Sequence, residues 1–291
     1  MTPPDLPGGG ADGLVAAAPQ RSPGATTAHA PHATPGSLFD LAGRVALVTG
    51  AARGLGHAIA QALADHGARV VLADIDAAGA SAAADALAER GARAVSLAAD
   101  LGDRTSVARL AAQATAAFGR IDTLVCNAGI EGPVGPLGAA TEADWRRVMD
   151  VNLGGALALC SAVIPPMAER GDGSVVLMSS IAGLRGNRAI GLYALSKAGL
   201  AQLARNLAVE WGPSGVRVNA VSPGLVRTPL AAGLLADQAF MARRLAATPL
   251  RRVGEPHEIA GVVVMLASRA GGFMHGHNLV VDGGTTIGDG S

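Results

Sequence analysis

The chain has 291 residues, 49% of them hydrophobic and 16% charged, with 23 basic side chains balanced by 23 acidic ones. That balance gives no electrostatic footprint for nucleic acid or an anionic membrane surface, and the apolar fraction excludes a disordered chain. Among the basic residues there is one lysine, Lys197, and the chain has one tyrosine, Tyr193. Cys126 and Cys160 form no CxxC or zinc spacing, so a reducing, cytoplasmic setting is expected. His275 and His277 flank a glycine without nearby carboxylate or thiol partners, and no metal site is expected. No uncharged apolar run is read as long enough, at about 18 residues, to span a membrane.

Residues 1–37 are rich in Pro and Gly and carry no helical or alternating pattern, which predicts a disordered N-terminal extension. From residue 38 onward, short β-rich apolar runs alternate with Ala/Leu-rich stretches. Strands are predicted at Arg44–Thr49, Arg69–Asp74, Ala92–Ala98, Ile121–Cys126, Ser174–Ser179, Val216–Val221 and Asn278–Val281. Helices fit 55–66, 77–90, 104–118, 142–169, 192–212 and 256–268. The alternation predicts an α/β fold over 38–291: a single Rossmann-type, doubly wound parallel sheet of about seven strands with helices on both faces.

The first strand runs into Gly50-Ala51-Ala52-Arg53-Gly54-Leu55-Gly56 and then directly into a helix. Glycines at such a turn admit backbone shapes and close approaches that a Cβ blocks, and the helix N-terminus favours a pyrophosphate. Gly50, Arg53, Gly54, Leu55 and Gly56 are therefore read as dinucleotide contacts. The second strand ends at Asp74, where a carboxylate accepts hydrogen bonds from the adenosine ribose and repels a 2′-phosphate. Asp74 favours NAD over NADP, and Arg53 is the one loop residue that argues the other way.

Tyr193 and Lys197 are four residues apart, a spacing that stacks two side chains on one helix face. A free phenol ionises near pH 10, too high for a base at neutral pH, and a neighbouring ammonium lowers that value.

With these features the sequence resembles the classical short-chain dehydrogenase/reductase family over essentially all of 38–291. Thr49–Gly56 is similar to the family's TGxxxGxG loop, and Tyr193-Ala-Leu-Ser-Lys197 to its YxxxK motif. The resemblance implies that Asp100, with Leu101 beside it, contacts the adenine. It implies that Asn127-Ala128-Gly129 closes the fourth strand over the cofactor. The family usually places Asn before that triplet, where this chain has Cys126. Pro223, Gly224, Val226 and Thr228 match the segment that holds the nicotinamide carboxamide, and Asp282-Gly283-Gly284 matches a closing turn. Asn152 matches the helix Asn of a proton relay. Ser180, 13 residues before Tyr193, is the implied catalytic serine, with Ser179 structural.

The implied reaction moves a hydride between NAD(H) and a small-molecule secondary alcohol or ketone. Tyr193 takes the alcohol proton, Ser180 holds the oxygen, Lys197 lowers the tyrosine pKa and binds the ribose, and Asn152 positions a water. Two rival readings are an NADPH-dependent 3-oxoacyl thioester reductase and a catalytically silent nucleotide-binding regulator. A homo-oligomer, dimer or tetramer, is implied through the helices at 142–169 and 192–212. Substrate walls are expected from Ile130–Ala140, Ile181–Leu192 and Leu225–Thr248, the last read evenly as a mobile lid or a packed amphipathic helix. Arg243/Arg244 and Arg251/Arg252 are read as solvated faces or subunit contacts.

Overall fold

The computed structural model describes residues 38–288, and the expected extension at 1–37 lies outside them. Seven parallel strands form one sheet: β1 (Val45–Thr49), β2 (Arg69–Asp74), β3 (Ala94–Ala98), β4 (Thr123–Cys126), β5 (Gly173–Met178), β6 (Val216–Pro223) and β7 (Asn278–Val281). Their order is β3-β2-β1-β4-β5-β6-β7. Alternate side chains face opposite ways, so each strand serves two cores. Leu47, Val71, Leu124, Val175 and Val218 face one layer, while Val48, Leu72, Val125, Val176 and Val221 face the other. Register aligns them: Leu47 pairs with Val71 and Leu124, and Val175 with Leu124 and Val218. Burial on both faces is why the central strands read as unbroken apolar runs. The predicted fold class is the observed one.

Helices α1 (Gly54–Asp65), α2 (Ala77–Glu89) and α9 (Pro256–Ala267) cover one face. Helices α3 (Arg104–Phe118), α5 (Gly155–Arg170) and α6 (Gly191–Trp211) cover the other. The predicted helix 142–169 is divided. Helix α4 (Glu142–Met149), opened by a Thr141/Asp144 capping box, passes through a π-helical turn, Asp150–Gly154, into α5. Such turns insert one residue and redirect side chains, frequently at functional sites.

The expectation about apolar runs needs correction here. Residues 151–168 carry no charge, and helix Glu142–Arg170 is long and apolar enough, with mean hydropathy 1.6, to cross a membrane by length and composition. The physical reason lies in packing: Leu159, Cys160, Val163, Ile164 and Met167 are buried against the sheet and α3. It is a core helix that resembles a span in composition alone.

At the base of the sheet Asp122 is almost fully buried, and it accepts hydrogen bonds from the Val45 amide (2.9 Å) and Arg120 Nε (2.7 Å). Arg44 and Arg170 stand 3.8 and 3.9 Å from the same carboxylate. A buried charge is tolerated only with such partners. His275, one of the two histidines flanking Gly276, is also structural, since its ring accepts from the Val218 amide and meets Ala208 O at 2.7 Å.

The strand order reverses direction between β1 and β4, with β2 and β3 on one side and β5 to β7 on the other. In open parallel sheets that switch point leaves a crevice at the carboxyl ends of the strands, where ligands bind.

Candidate active site

A cleft of about 1080 Å³ opens at that crevice. At its floor, β1 ends at Thr49 and turns through Gly50, whose φ of +66° is left-handed and favours glycine. The turn is clamped from β4. Asn127 Nδ2 donates to the carbonyls of Thr49 (2.9 Å) and Gly50 (3.1 Å), while Thr49 Oγ1 accepts from the amides of Asn127 and Ala128, both at 3.1 Å. Sequence reasoning named Asn127 as a cofactor contact and missed Thr49 as its counterpart; the threonine beside the glycine loop was the available signal.

Helix α1 starts beneath this turn with no side-chain cap and no acidic residue in its first turn. Its first amides therefore keep their capacity for an anion, in a positive dipole end. Gly56 completes the cradle: a Cβ there would lie 2.1 Å from Gly50 O and 2.5 Å from Asn127 Nδ2. These features fit a dinucleotide pyrophosphate. At the end of β2, the Asp74 carboxylate is fixed by the amides of Ala52 and Asp76, each at 3.0 Å. Arg53 forms no ion pair with Asp74 or any other carboxylate among the described residues.

The structure brings Gly50, Arg53, Gly54, Leu55, Gly56, Asp74, Asp100, Leu101, Asn127, Ala128, Gly129, Ser180, Tyr193, Lys197, Pro223, Gly224, Val226 and Thr228 to the walls of this one cleft. Asn152 is the exception. It is buried in the π-helical turn with its side chain hydrogen-bonded through both Oδ1 and Nδ2. Oδ1 accepts from the Ile130 amide (2.8 Å), and Nδ2 donates to Ile130 O (2.9 Å) and Ser196 Oγ (3.0 Å). Ser196 Oγ in turn donates to Tyr193 O (2.8 Å). Both amide hydrogens are used within the protein, so a water held by this side chain would donate to the second lone pair of Oδ1. Its evident work is to tie the Tyr193 turn of α6 to the segment after β4.

Ser179 makes a second tie, donating from Oγ to Lys197 O at 2.7 Å. Ser180 follows at the cleft wall, near enough to the Tyr193 phenol to lower its pKa. Tyr193 and Lys197 lie on one face of α6, with the Lys197 ammonium 5.4 Å from the tyrosine ring centre. Lys197 Nζ donates to Met178 O (2.7 Å), at the end of β5. Gly129 leaves the space: a Cβ there would stand 3.4 Å from that Nζ.

The electrostatics differ from the expectation. Burial pushes the Tyr193 phenol above its ordinary value, hydrogen bonding to Ser180 pulls it down, and the Glu131 carboxylate raises it further. Lys197 is itself pulled down to about 8, because burial penalises its charged form. The ammonium lies over the ring and is engaged by a carbonyl.

The substrate walls are also redrawn. From 130–140 only Ile130 and Glu131 reach the cleft, while Pro133–Ala140 line a separate shallow pocket with Leu192. The stretch 225–248 contains two short helices, α7 (Ala232–Ala236) and α8 (Gln238–Ala246), with no fully buried residue. Leu230, Leu234 and Arg244 from this stretch line the cleft. Arg244 is thus half-buried at the cleft and not on a solvated face.

A family model described as enoyl-(acyl carrier protein) reductase matches residues 50–286. The cis-4-hydroxycyclohexanecarboxylate dehydrogenase of Sinomonas cyclohexanicum is 47% identical over 245 residues, covering 84% of this chain and 96% of that protein. A gluconate 5-dehydrogenase from Burkholderia cenocepacia, solved with NADP and tartrate, superposes with a TM-score of 0.83 at 34% identity, covering 87% of this chain and 98% of that one. A 7α-hydroxysteroid dehydrogenase solved with NADH and 7-oxo glycochenodeoxycholic acid gives the same TM-score at 33% identity and the same coverages.

Proposed function

This chain belongs to the short-chain dehydrogenase/reductase family, an oxidoreductase family acting here on CH–OH groups through a nicotinamide cofactor, and we propose that it oxidises a secondary alcohol to a ketone with NAD as the preferred cofactor. The observation that carries the reading is the meeting of Ser180, Tyr193 and Lys197 in the same cleft as the uncapped start of α1.

When bound, the nicotinamide ring supplies the hydride acceptor. The first-turn amides of α1 and the glycine loop hold the pyrophosphate, Asp74 the adenosine ribose, and Asp100 with Leu101 the adenine. Asn127, Ala128 and Gly129 cover the middle of the cleft, and Pro223, Gly224, Val226 and Thr228 hold the carboxamide end. Tyr193 Oη takes the alcohol proton as the carbinol hydrogen departs, and Ser180 Oγ fixes the substrate oxygen beside it. Lys197 holds the nicotinamide ribose and keeps positive charge near the developing phenolate. Asn152 positions the Tyr193 turn. Placement and electrostatics are the protein's share of the work.

Asp74 supports the preference for NAD, because its carboxylate is already fixed and would face a 2′-phosphate as a like charge. Initial rates with both cofactors test this. The expected kcat/KM is higher for NAD by about tenfold or more, and Asp74→Ser is expected to erase most of that gap. Equal use of NADP by the unmodified protein overturns the preference. Assembly into a homo-oligomer is part of the proposal: Trp145 on α4, Leu157 on α5, and Leu195 and Val209 on α6 are large apolar side chains left exposed in one copy.

A further inference from the structure

The nicotinamide half of the cleft holds two arginines that the reaction does not use. Arg185 follows the Ser180 turn, and Arg244 sits in α8; both line the cleft. Neither guanidinium has a hydrogen-bonding or ion-pair partner among the described residues. Their supports are nonetheless fixed. Asn187 Nδ2 donates to the carbonyls of Ala182 (2.6 Å) and Arg185 (2.8 Å), which pins the backbone that presents Arg185. On the other side, Thr248 Oγ1 donates to Arg244 O (2.8 Å) and meets Thr285 Oγ1 at 3.0 Å, fastening the end of α8 to the closing turn. The Arg244 guanidinium lies 5.4 Å from the Phe240 ring centre, one turn back on its own helix.

We propose that Arg185 and Arg244 form a carboxylate-binding subsite, so that the substrate is a secondary alcohol bearing a carboxylate remote from its carbinol carbon. This rests on the oxidoreductase reading given above. The guanidinium fork matches a carboxylate in plane and spacing, and two unpaired forks lining one cleft favour an anion there. The two cations also sense each other: burial draws the Arg244 guanidinium below its ordinary value, and Arg185 draws it further, while Asp282 opposes them. A bound carboxylate would relieve that repulsion.

One acidic residue of this half, Glu131, explains why the carboxylate is remote. Glu131 lines the cleft after β4 and is near enough to Tyr193 to raise the phenol. A carboxylate placed on the reacting carbon would meet Glu131, whereas one at the far end of the molecule meets the arginines. Leu230 and Leu234, from the α7 side, supply apolar wall for the hydrocarbon between the two ends.

The test compares a cyclic hydroxy acid with its methyl ester, in the unmodified protein and in Arg185→Gln, Arg244→Gln and the double variant. The acid is expected to exceed the ester in kcat/KM by about tenfold or more. Each substitution is expected to lower the acid's kcat/KM by about tenfold, mostly through KM, and the double variant to bring acid and ester level. The same carboxylic acid lacking the hydroxyl is expected to inhibit competitively, and to lose that inhibition in the double variant. An acid-to-ester ratio of one in the unmodified protein, or a ratio that the substitutions leave unaltered, overturns the subsite. So does a loss in the variants confined to phosphate-bearing coenzyme A thioesters. Tyr193-dependent oxidation of the ester alone would leave the oxidoreductase reading standing while the subsite falls. If neither compound is oxidised with either cofactor, the oxidoreductase reading fails and takes the subsite with it.

Discussion

Replacing Tyr193 by phenylalanine is expected to lower kcat for alcohol oxidation by about 10³-fold, the scale of a lost general acid–base group. The phenol is the one side chain at the cleft with a proton to exchange that also lies beside Ser180. Phenylalanine keeps the ring and its packing over Lys197, so the fold and cofactor affinity should change little. Kinetics with a fixed alcohol, alongside a thermal melt and a cofactor titration, separate these effects. The pH dependence has a defined sign. Burial and Glu131 raise the Tyr193 phenol, so at neutral pH it is protonated in the absence of cofactor. Oxidation, which needs the phenolate, is expected to rise with pH, while ketone reduction, which needs the phenol, is expected to fall. Activity in Tyr193→Phe within tenfold of the unmodified protein would contradict the assigned role.

Gly56→Ala should disable the other half of the cleft. The new Cβ would lie 2.1 Å from Gly50 O, 2.5 Å from Asn127 Nδ2 and 2.7 Å from the Gly50 carbonyl carbon. Backbone on one side and a clamped amide on the other leave it no inexpensive escape, because Asn127 Nδ2 already holds the Thr49 and Gly50 carbonyls. The loop or the start of α1 must shift, which costs about 2 kcal/mol or more and weakens NAD by roughly thirtyfold or more. Calorimetric titration with NAD measures it. Gly261→Ala is the matching control, since a Cβ in that interior turn of α9 meets nothing within 4 Å. There alanine is expected to leave affinity intact and stabilise slightly, as it does in an exposed helix interior. Unchanged NAD affinity in Gly56→Ala would contradict the cradle.

Both residues were legible in the sequence because each is singular in its chemistry or its spacing. The glycine loop stands between an apolar strand and a helix, and Tyr193 and Lys197 are each the only residue of their kind. The strands were legible for a related reason: burial on both faces writes continuous Val/Leu/Ala runs, and all seven observed strands fall within two residues of the predicted bounds at each end. What was not legible depends on packing in three dimensions. The π-helical turn at Asp150–Gly154 is invisible to a 3.6-residue period, because what it serves is the bond set of Asn152 to Ile130 and Ser196. The apolar stretch of α5 resembles a membrane span by composition, and only its packing on the sheet beside α3 explains it. Arg244 belongs to a run of two arginines that reads as surface, and the cleft-facing one of the pair is selected by the turn of α8. The burial that raises the Tyr193 phenol was not legible either, because the four-residue spacing shows only that Lys197 shares its helix face.

The central claim is that this cleft moves a hydride from a carbinol carbon to the nicotinamide. Oxidation of a secondary alcohol deuterated at that carbon tests it most directly, with mass spectrometry of the reduced cofactor as the readout. One deuterium per reduced nicotinamide is expected, with a slower rate than for the unlabelled alcohol. Product ketone formed with no label in the cofactor, or cofactor reduced without label, would contradict it.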